Sequence, residues 1–293
     1  MLNAKKLDRL FAKANLNPAE DPYLAMIRAA AKAKAELHIV EPEWTKEELS
    51  DALHGRRKLF DVHTVALPQA DFLRVFASIR EAVLAASGND AAWQGMPAPE
   101  AIFTQENLDV LSHNPDALWD MMEKSGVDLE KAQEQFLPAA AYTMRAFFDA
   151  VAWDASNEME RLIPDTIHFE RNLTCPVCGS SANIAGVGAT QNHGNVKRLY
   201  CSCCGANWQF ERIRCAVCGT EATSDLEYVH MHGDDKHRLH VCKACGSATP
   251  TIFGSEVDDF DPDLEAWRCA ELMAVYQDQS AQAEGDKDKG GNA

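Results

Sequence analysis

The first 174 residues of this 293-residue chain contain no cysteine, and no stretch of it approaches the length of a membrane span. A span needs about 20 consecutive apolar residues, so no membrane insertion is expected. The opening, MLNAKKLDRLFAKANLNP, lacks the apolar core of roughly 7–15 residues that a secretory signal carries. Arg56-Arg57 is not followed by an apolar run, so it is no twin-arginine export signal. These absences lead us to expect a cytoplasmic protein, whose thiols stay reduced and whose clustered cysteines are metal ligands more often than disulfides. Positive charge is also short. Lys and Arg number 28 against 45 Asp and Glu, a net charge of −17. That argues against a broad basic face able to neutralise phosphates, and so no nucleic-acid partner is expected. The chain has no G-x-G-x-x-G, no H-E-x-x-H and no recognisable Ser/His/Asp arrangement. The loose glycine run GVGATQNHG from Gly186 follows no strand–helix unit. We expect no enzyme.

The cysteine-free part reads as helical. DPYLAMIRAAAKAKAELHIV is alanine-rich, and TKEELSDAL opens with Thr45 and Glu48 at capping-box spacing. PQADFLRVFASIREAVLAAS sets Phe72, Leu73, Phe76, Ile79, Val83 and Leu84 on one helical face, with Gly88 as its stop. In NPDALWDMMEKSG, Asn114 is the expected N-cap, Pro115 the first helical residue and Gly126 the residue past the end. DLEKAQEQF starts another helix. The long segment from Leu137 carries Tyr142, Met144, Phe147, Phe148, Val151 and Trp153 as expected core. These aromatic and methionine side chains are read as helix packing.

Near Pro164 the helical period gives way to short β-like runs such as LYCS and RLHVC. Helical spacing returns at DPDLEAWRCAELMAVYQDQSAQA, with Asp261 as N-cap. The expected class is α+β: an all-α domain over 1–166, two tandem rubredoxin-like or zinc-ribbon modules over 167–208 and 209–257, and a C-terminal helix over 258–284. A polar, glycine-rich tail over 285–293 is expected to be disordered.

All ten cysteines lie between Cys175 and Cys269, and eight form four Cys-x-x-Cys-Gly motifs: Cys175/Cys178, Cys201/Cys204, Cys215/Cys218 and Cys242/Cys245. The first and third motifs, CPVCGS and CAVCGT, resemble each other and start 40 residues apart, and the second and fourth start 41 apart. This is a repeat of a two-motif unit. In such a knuckle the chain turns tightly enough for both sulfurs to face one ion, and the glycine takes up the positive φ that ends the turn. Two knuckles complete a tetrahedral four-thiolate site. Sequence order assigns Cys175, Cys178, Cys201 and Cys204 to one ion, and Cys215, Cys218, Cys242 and Cys245 to a second. Units of about 40 residues are too small to rely on an apolar core alone, and a structural zinc contributes about 10–16 kcal/mol in comparable peptides. The spacing suits zinc and a single rubredoxin-type iron equally.

Two cysteines remain. Cys203 sits between the two ligands of the second knuckle and should point away from the ion, and Cys269 reads as packing. His230, His232, His237 and His240 cluster in YVHMHGDDKHRLHVC. Because four thiolates already fill a site, they read as a solvated hairpin turning at Gly233 rather than as further ligands.

The order helical region, CPVCGS, LYCSCCGANWQFERIRCAVCGT, CKACG and closing helix resembles the FdhE family of formate dehydrogenase accessory proteins. The likeness runs from about Asp21 to about Gln279 and is most specific over Leu199–Thr220. The resemblance implies a cytoplasmic assembly factor needed for active respiratory formate dehydrogenases, which binds their catalytic subunit before its export. It also implies rubredoxin-type iron at both four-cysteine sites, with zinc as the alternative. SATPTIF after the fourth knuckle departs from the family pattern, as do the histidine segment and Cys203.

Two other functions compete with this one. A rubredoxin-like electron carrier would use the same thiolates. A zinc-ribbon nucleic-acid module is disfavoured, because Asp165–Pro250 holds 8 Lys and Arg against 8 Asp and Glu before any thiolate is counted. The acidic residues Glu158, Glu160, Asp165 and Glu170 flank the linker Pro164–Thr174, where a cleft receiving a basic client segment is expected.

Overall fold

Short polar side chains open most of the helices. In the computed structural model, which describes residues 2–162, 172–190, 194–255 and 259–290, the side chains of Asn3, Asp21, Thr45, Thr104 and Asp128 each accept an amide of the helix they precede. Each thereby satisfies one of the donors a helix start leaves unpaired. The helices are α1 (Ala4–Lys13), α2 (Pro22–Glu36), α3 (Lys46–Leu53), α4 (Gln69–Ser87), α5 (Pro99–Ile102), α6 (Gln105–His113), α7 (Leu118–Lys124), α8 (Leu129–Ala132) and α9 (Phe136–Leu162). The capping box forms at Thr45 and Glu48, and Gly88 ends α4 with φ +68°. Asn114 precedes a helical stretch that starts at Pro115 as expected, but the first turn is 3-10 and the Asn114 side chain makes no capping bond. Its amide closes α6 on Val110, Pro115–Ala117 form a 3-10 turn, and α7 begins only at Leu118.

By density of contacts the chain forms two compact units, Met1–Ala182 with Tyr200–Trp208, and Asn183–Leu199 with Gln209–Ala293. The first is built on aromatic packing. Phe72, Phe76, Phe103, Phe136, Phe147 and Phe148 are all buried, and the Phe76 ring lies 5.3 Å from Phe103 and 5.2 Å from Phe136. Each such side chain contributes about 1.5–3 kcal/mol by leaving water. On α4 the buried stripe is Phe72, Val75, Phe76, Ile79 and Val83; Leu73 and Leu84 lie at its half-buried margin.

The second unit holds most of one six-stranded sheet. Its strands are β1 (Ile184–Thr190), β2 (Gly194–Tyr200), β3 (Asn207–Phe210), β4 (Leu226–His230), β5 (His237–Cys242) and β6 (Ala248–Phe253), in the order β3-β2-β1-β6-β5-β4. Strands from both cysteine repeats lie in this one sheet. They join where β1 runs parallel to β6, Gly186 opposite Ile252. On the far side β6 and β4 both pair antiparallel to β5.

Asp261 caps α10 (Pro262–Arg268) as expected. The closing helix breaks at Cys269, and α11 (Ala270–Gly290) then runs past residue 284. Leu272 packs with Leu239 and Val241 of β5, flanked by Met273 and Tyr276. The expected linker cleft falls largely on residues 163–171, outside the described residues. No helix among the described residues is long and apolar enough to cross a membrane.

Candidate metal centres

All four knuckles close with the same pair of backbone hydrogen bonds. The amide of the glycine donates to the carbonyl of the first cysteine, at 2.8 Å for Gly179, 3.0 Å for Gly205, 3.1 Å for Gly219 and 2.8 Å for Gly246. The amide of that cysteine in turn donates to the carbonyl five residues on: Cys175 to Ser180, Cys201 to Ala206, Cys215 to Thr220 and Cys242 to Ser247. The geometry requires the glycine at φ between +74° and +89°, a region costing other residues about 1–2 kcal/mol.

These turns bring two sets of four thiols together, Cys175, Cys178, Cys201 and Cys204 in one, Cys215, Cys218, Cys242 and Cys245 in the other, with all sulfurs of a set within 4.8 Å of one another. In the first set Cys175 Sγ lies 3.6 Å from Cys204 Sγ, and Cys178 Sγ 3.5 Å from Cys201 Sγ. In the second, Cys215 to Cys245 and Cys218 to Cys242 are both 3.7 Å. A tetrahedron of sulfurs about 2.3 Å from a central ion has edges of about 3.8 Å, so each set fits one tetrahedral metal. All ten cysteines are free thiols. The donor chemistry, four soft thiolates, suits zinc or iron.

Acidity is unevenly shared inside each set. A hydrogen bond from Cys175 leads in lowering Cys178 to about 5, while burial pushes Cys175 and Cys204 well up. Burial opposes ionisation of Cys215, yet hydrogen bonds from the Ser247 hydroxyl and the amides of Cys218 and Val217 bring it down to about 6.

The surroundings of the two sets differ. The first is buried throughout and tied to the helices of its unit. The amides of Leu59 and Phe60 donate to the carbonyls of Pro176 and Val177 at 3.1 and 2.9 Å. Ser180 Oγ lies 3.5 Å from Cys178 Sγ and donates to Asp116 at 2.6 Å. Arg145 of α9 donates from Nη1 to the carbonyls of Cys201 and Ser202 at 3.2 and 2.7 Å. Its Nε meets Asp149 at 3.2 Å, and Asp149 also takes Lys34 Nζ at 2.6 Å and the Leu2 amide at 3.0 Å. Burial works against the Asp149 charge, but its cationic neighbours hold the carboxyl below its ordinary range.

In the second set Cys215 and Cys242 are buried, while Cys218 and Cys245 are exposed. Lys197 of β2, fully buried, donates to the carbonyl of Arg214, faces His240 Nδ1 at 3.3 Å in each case, and lies over the Phe210 ring. Burial lowers its ammonium to about 8, against an upward pull from Cys215 and Glu211.

Cys203 is half-buried and outside the four-thiol set, and Cys269 is buried where α10 gives way to α11. The four histidines do not converge. His230 and His232 are exposed on the hairpin. The solvated reading fails for the other two. His237 is held between Asp234 and Glu265, each at 2.7 Å, and His240 is buried and stacked on Tyr228 at 4.8 Å.

The sequence reading missed Arg145, Asp149 and Lys197. The first two could have been found as an opposite-charge pair four residues apart inside an apolar helical stretch. Lys197 could have been found as a lysine in phase with Leu199 on a strand.

The molecule is therefore an α+β protein carrying two four-cysteine clusters built to hold metal ions. No protein-family model matches the chain. An FdhE homologue of Aquifex aeolicus is 30% identical over 125 residues, 41% of this chain and 42% of that protein. Its counterpart in Shewanella baltica is 23% identical over 221 residues, 70% of each chain. One from Pseudomonas aeruginosa is 25% identical over 164 residues, covering 53% of this chain and 50% of that protein. A crystal structure of the FdhE protein from Pseudomonas aeruginosa superposes over 95% of this chain and 92% of that one, with a TM-score of 0.49 at 16% identity. The chain is similar to FdhE proteins. It matches about two-fifths of the length of the Aquifex relative.

Proposed function

We propose that this protein is a cytoplasmic accessory factor for formate dehydrogenase, that it binds the catalytic subunit of that enzyme before export, and that it catalyses no reaction itself. The observation that carries this reading is the pair of preformed four-thiol clusters in a chain similar to FdhE proteins. The eight knuckle cysteines are the proposed ligands, with rubredoxin-type iron at both centres and zinc as the alternative. A bound ion supplies cross-linking of two knuckles and, if it is iron, one-electron chemistry without ligand rearrangement. The chain's own part is to hold the sulfurs at tetrahedral spacing and to neutralise some of their charge with amides and hydroxyls. The test is affinity capture with the tagged full-length protein from cells respiring formate. Recovery of the catalytic subunit supports the accessory role, and its absence from the captured material refutes it. Metal analysis of protein purified without oxygen decides between iron and zinc.

A second reading, a rubredoxin-like electron carrier, draws support from the exposure of Cys218 and Cys245, which brings the second centre to the surface. It requires a reversible one-electron optical change in iron-loaded protein, and fails without one.

A further inference from the structure

The two clusters have the same donors and nearly the same sulfur spacing, so their intrinsic preference for an ion is alike. They differ in access. Thiolate-bound zinc and ferrous iron lose ligands chiefly when another donor or a proton reaches the ion or a sulfur. Every sulfur-bearing residue of the first cluster is at most 2% exposed. Its second knuckle is pinned by Arg145 at two carbonyls, and Ser180, beside Cys178, is occupied by Asp116. The second cluster shows Cys218 and Cys245 to solvent. Around them Lys243, Ala244 and Gly246 of the fourth knuckle are not buried, and Ile213 and Val217 beside the third are 60% and 55% exposed. Ser247 Oγ sits 3.1 Å from Cys245 Sγ and 3.5 Å from Cys215 Sγ, so it contacts one exposed and one buried sulfur.

We propose that the two centres divide the work: the first is a permanent structural cross-link, and the second is a ligand-exchange site that accepts an external thiolate on the face formed by Cys218 and Cys245. In the exchange step the incoming thiolate forms a bond to the ion as the bond from Cys218 or Cys245 breaks. The displaced cysteine leaves as a thiolate, so the charge on the ion's shell is unchanged and no oxidant or reductant is consumed. The occupant is a thiolate because all four donors of the set are sulfur, with no carboxylate or imidazole among them, and a softer ion selects a soft donor. This inference rests on metal binding at both clusters, as proposed above.

The test uses the full-length protein loaded with two equivalents of zinc, challenged with excess EDTA or dithiothreitol and followed by a zinc-responsive dye. Two release phases of equal amplitude are expected, the faster at least 100-fold quicker than the slower. Quenching with N-ethylmaleimide at the end of the fast phase and mapping by mass spectrometry should find Cys215, Cys218, Cys242 and Cys245 alkylated. Cys175, Cys178, Cys201 and Cys204 should be protected. A single phase, or labelling of the first set during the fast phase, overturns the division of roles. Failure of the protein to bind two zinc ions overturns the metal reading beneath it, so the two failures are distinguishable. Because the wild-type protein carries the experiment, no variant has to survive misfolding.

Discussion

Arg145 Nη1 donates to the carbonyl of Ser202 at 2.7 Å, reaching from the middle of α9 into the second knuckle. The same guanidinium is paired with Asp149, so a fully buried ion pair on a helix fixes the backbone of a metal-binding turn. Arg145→Met removes the cation and leaves two carbonyls and part of a carboxylate without that donor. Breaking one side of a buried pair costs about 3–5 kcal/mol, and loss of a group that orients ligands costs roughly 10–100-fold in metal affinity. Urea unfolding and zinc competition should show both effects. The affinity loss should fall on the first centre alone.

Gly205 and Gly246 make a matched comparison. Both take positive φ, +87° and +74°. A Cβ on Gly205 would lie 2.4 Å from Asp149 Oδ1 and 2.9 Å from Arg145 Nε, whereas one on Gly246 meets nothing within 4 Å. Gly246→Ala should cost only the backbone term, about 1–2 kcal/mol. Gly205→Ala should cost at least twice that by denaturant unfolding, because it also pushes on the buried ion pair. Equal costs would contradict the geometry.

Glu265 is wholly buried and takes His237 Nε2 at 2.7 Å, Lys236 Nζ at 2.9 Å and Arg268 Nη1 at 2.9 Å. The Glu265 hydrogen bond leads in raising His237 above 6.5, with burial opposing and Asp234 assisting. Burial pushes Glu265 up, and the bonds from His237 and Lys236 outweigh it, so its acidity lies below 4.5. A histidine raised in the fold contributes fully below its unfolded value and loses that contribution as pH rises through the folded one. The lowered carboxyl does the reverse, contributing above about 4.3 and fading in acid. The cluster is therefore strongest between the two. His237→Gln should destabilise the protein by about 1–2 kcal/mol near pH 6. The gap to wild type should narrow near pH 8.5, as read from paired urea titrations.

Lys197 joins the two knuckles of the second cluster, bonding the carbonyl that precedes Cys215 and facing the ring two residues before Cys242. Lys197→Met keeps the bulk and removes the cation. It should weaken zinc at the second centre by roughly 10-fold and leave the first unchanged. Lys197→Arg should recover part of the loss in the same competition assay.

Cys203→Ser tests the ligand sets directly. Cys203 lies between Cys201 and Cys204 in sequence but outside the four-thiol group. The variant should still bind two metal ions per chain by elemental analysis, and one ion per chain would mean that Cys203 is a ligand.

Much of this was legible in the residues. The helical caps at Thr45 and Asp261, the stop at Gly88 and the grouping of eight thiols follow from local rules with a period or a fixed spacing. What stayed hidden depended on contacts distant in sequence. Arg145 and Ser202 are 57 residues apart, and Lys197 reaches its role through strand pairing. The sharing of one sheet by both repeats also lies beyond local pattern, because β1 and β6 come from different repeats and meet in parallel. At Asn114 the sequence marks the helix start but not its 3-10 first turn, because the same residue also closes the preceding helix through its amide on Val110.

The division of the chain has a consequence for anyone who tries to take it apart. The backbone passes between the two compact units at 182/183, 199/200 and 208/209. No single scission yields one unit without the other: a cut inside Asn183–Leu199 leaves a nicked molecule in which Cys178 and Cys201, on opposite sides of the break, belong to the same thiol cluster. Limited proteolysis there should give two bands on a denaturing gel and one peak by gel filtration while the first centre holds its ion. A chelator strong enough to empty that centre then becomes the agent that decides whether the pieces part.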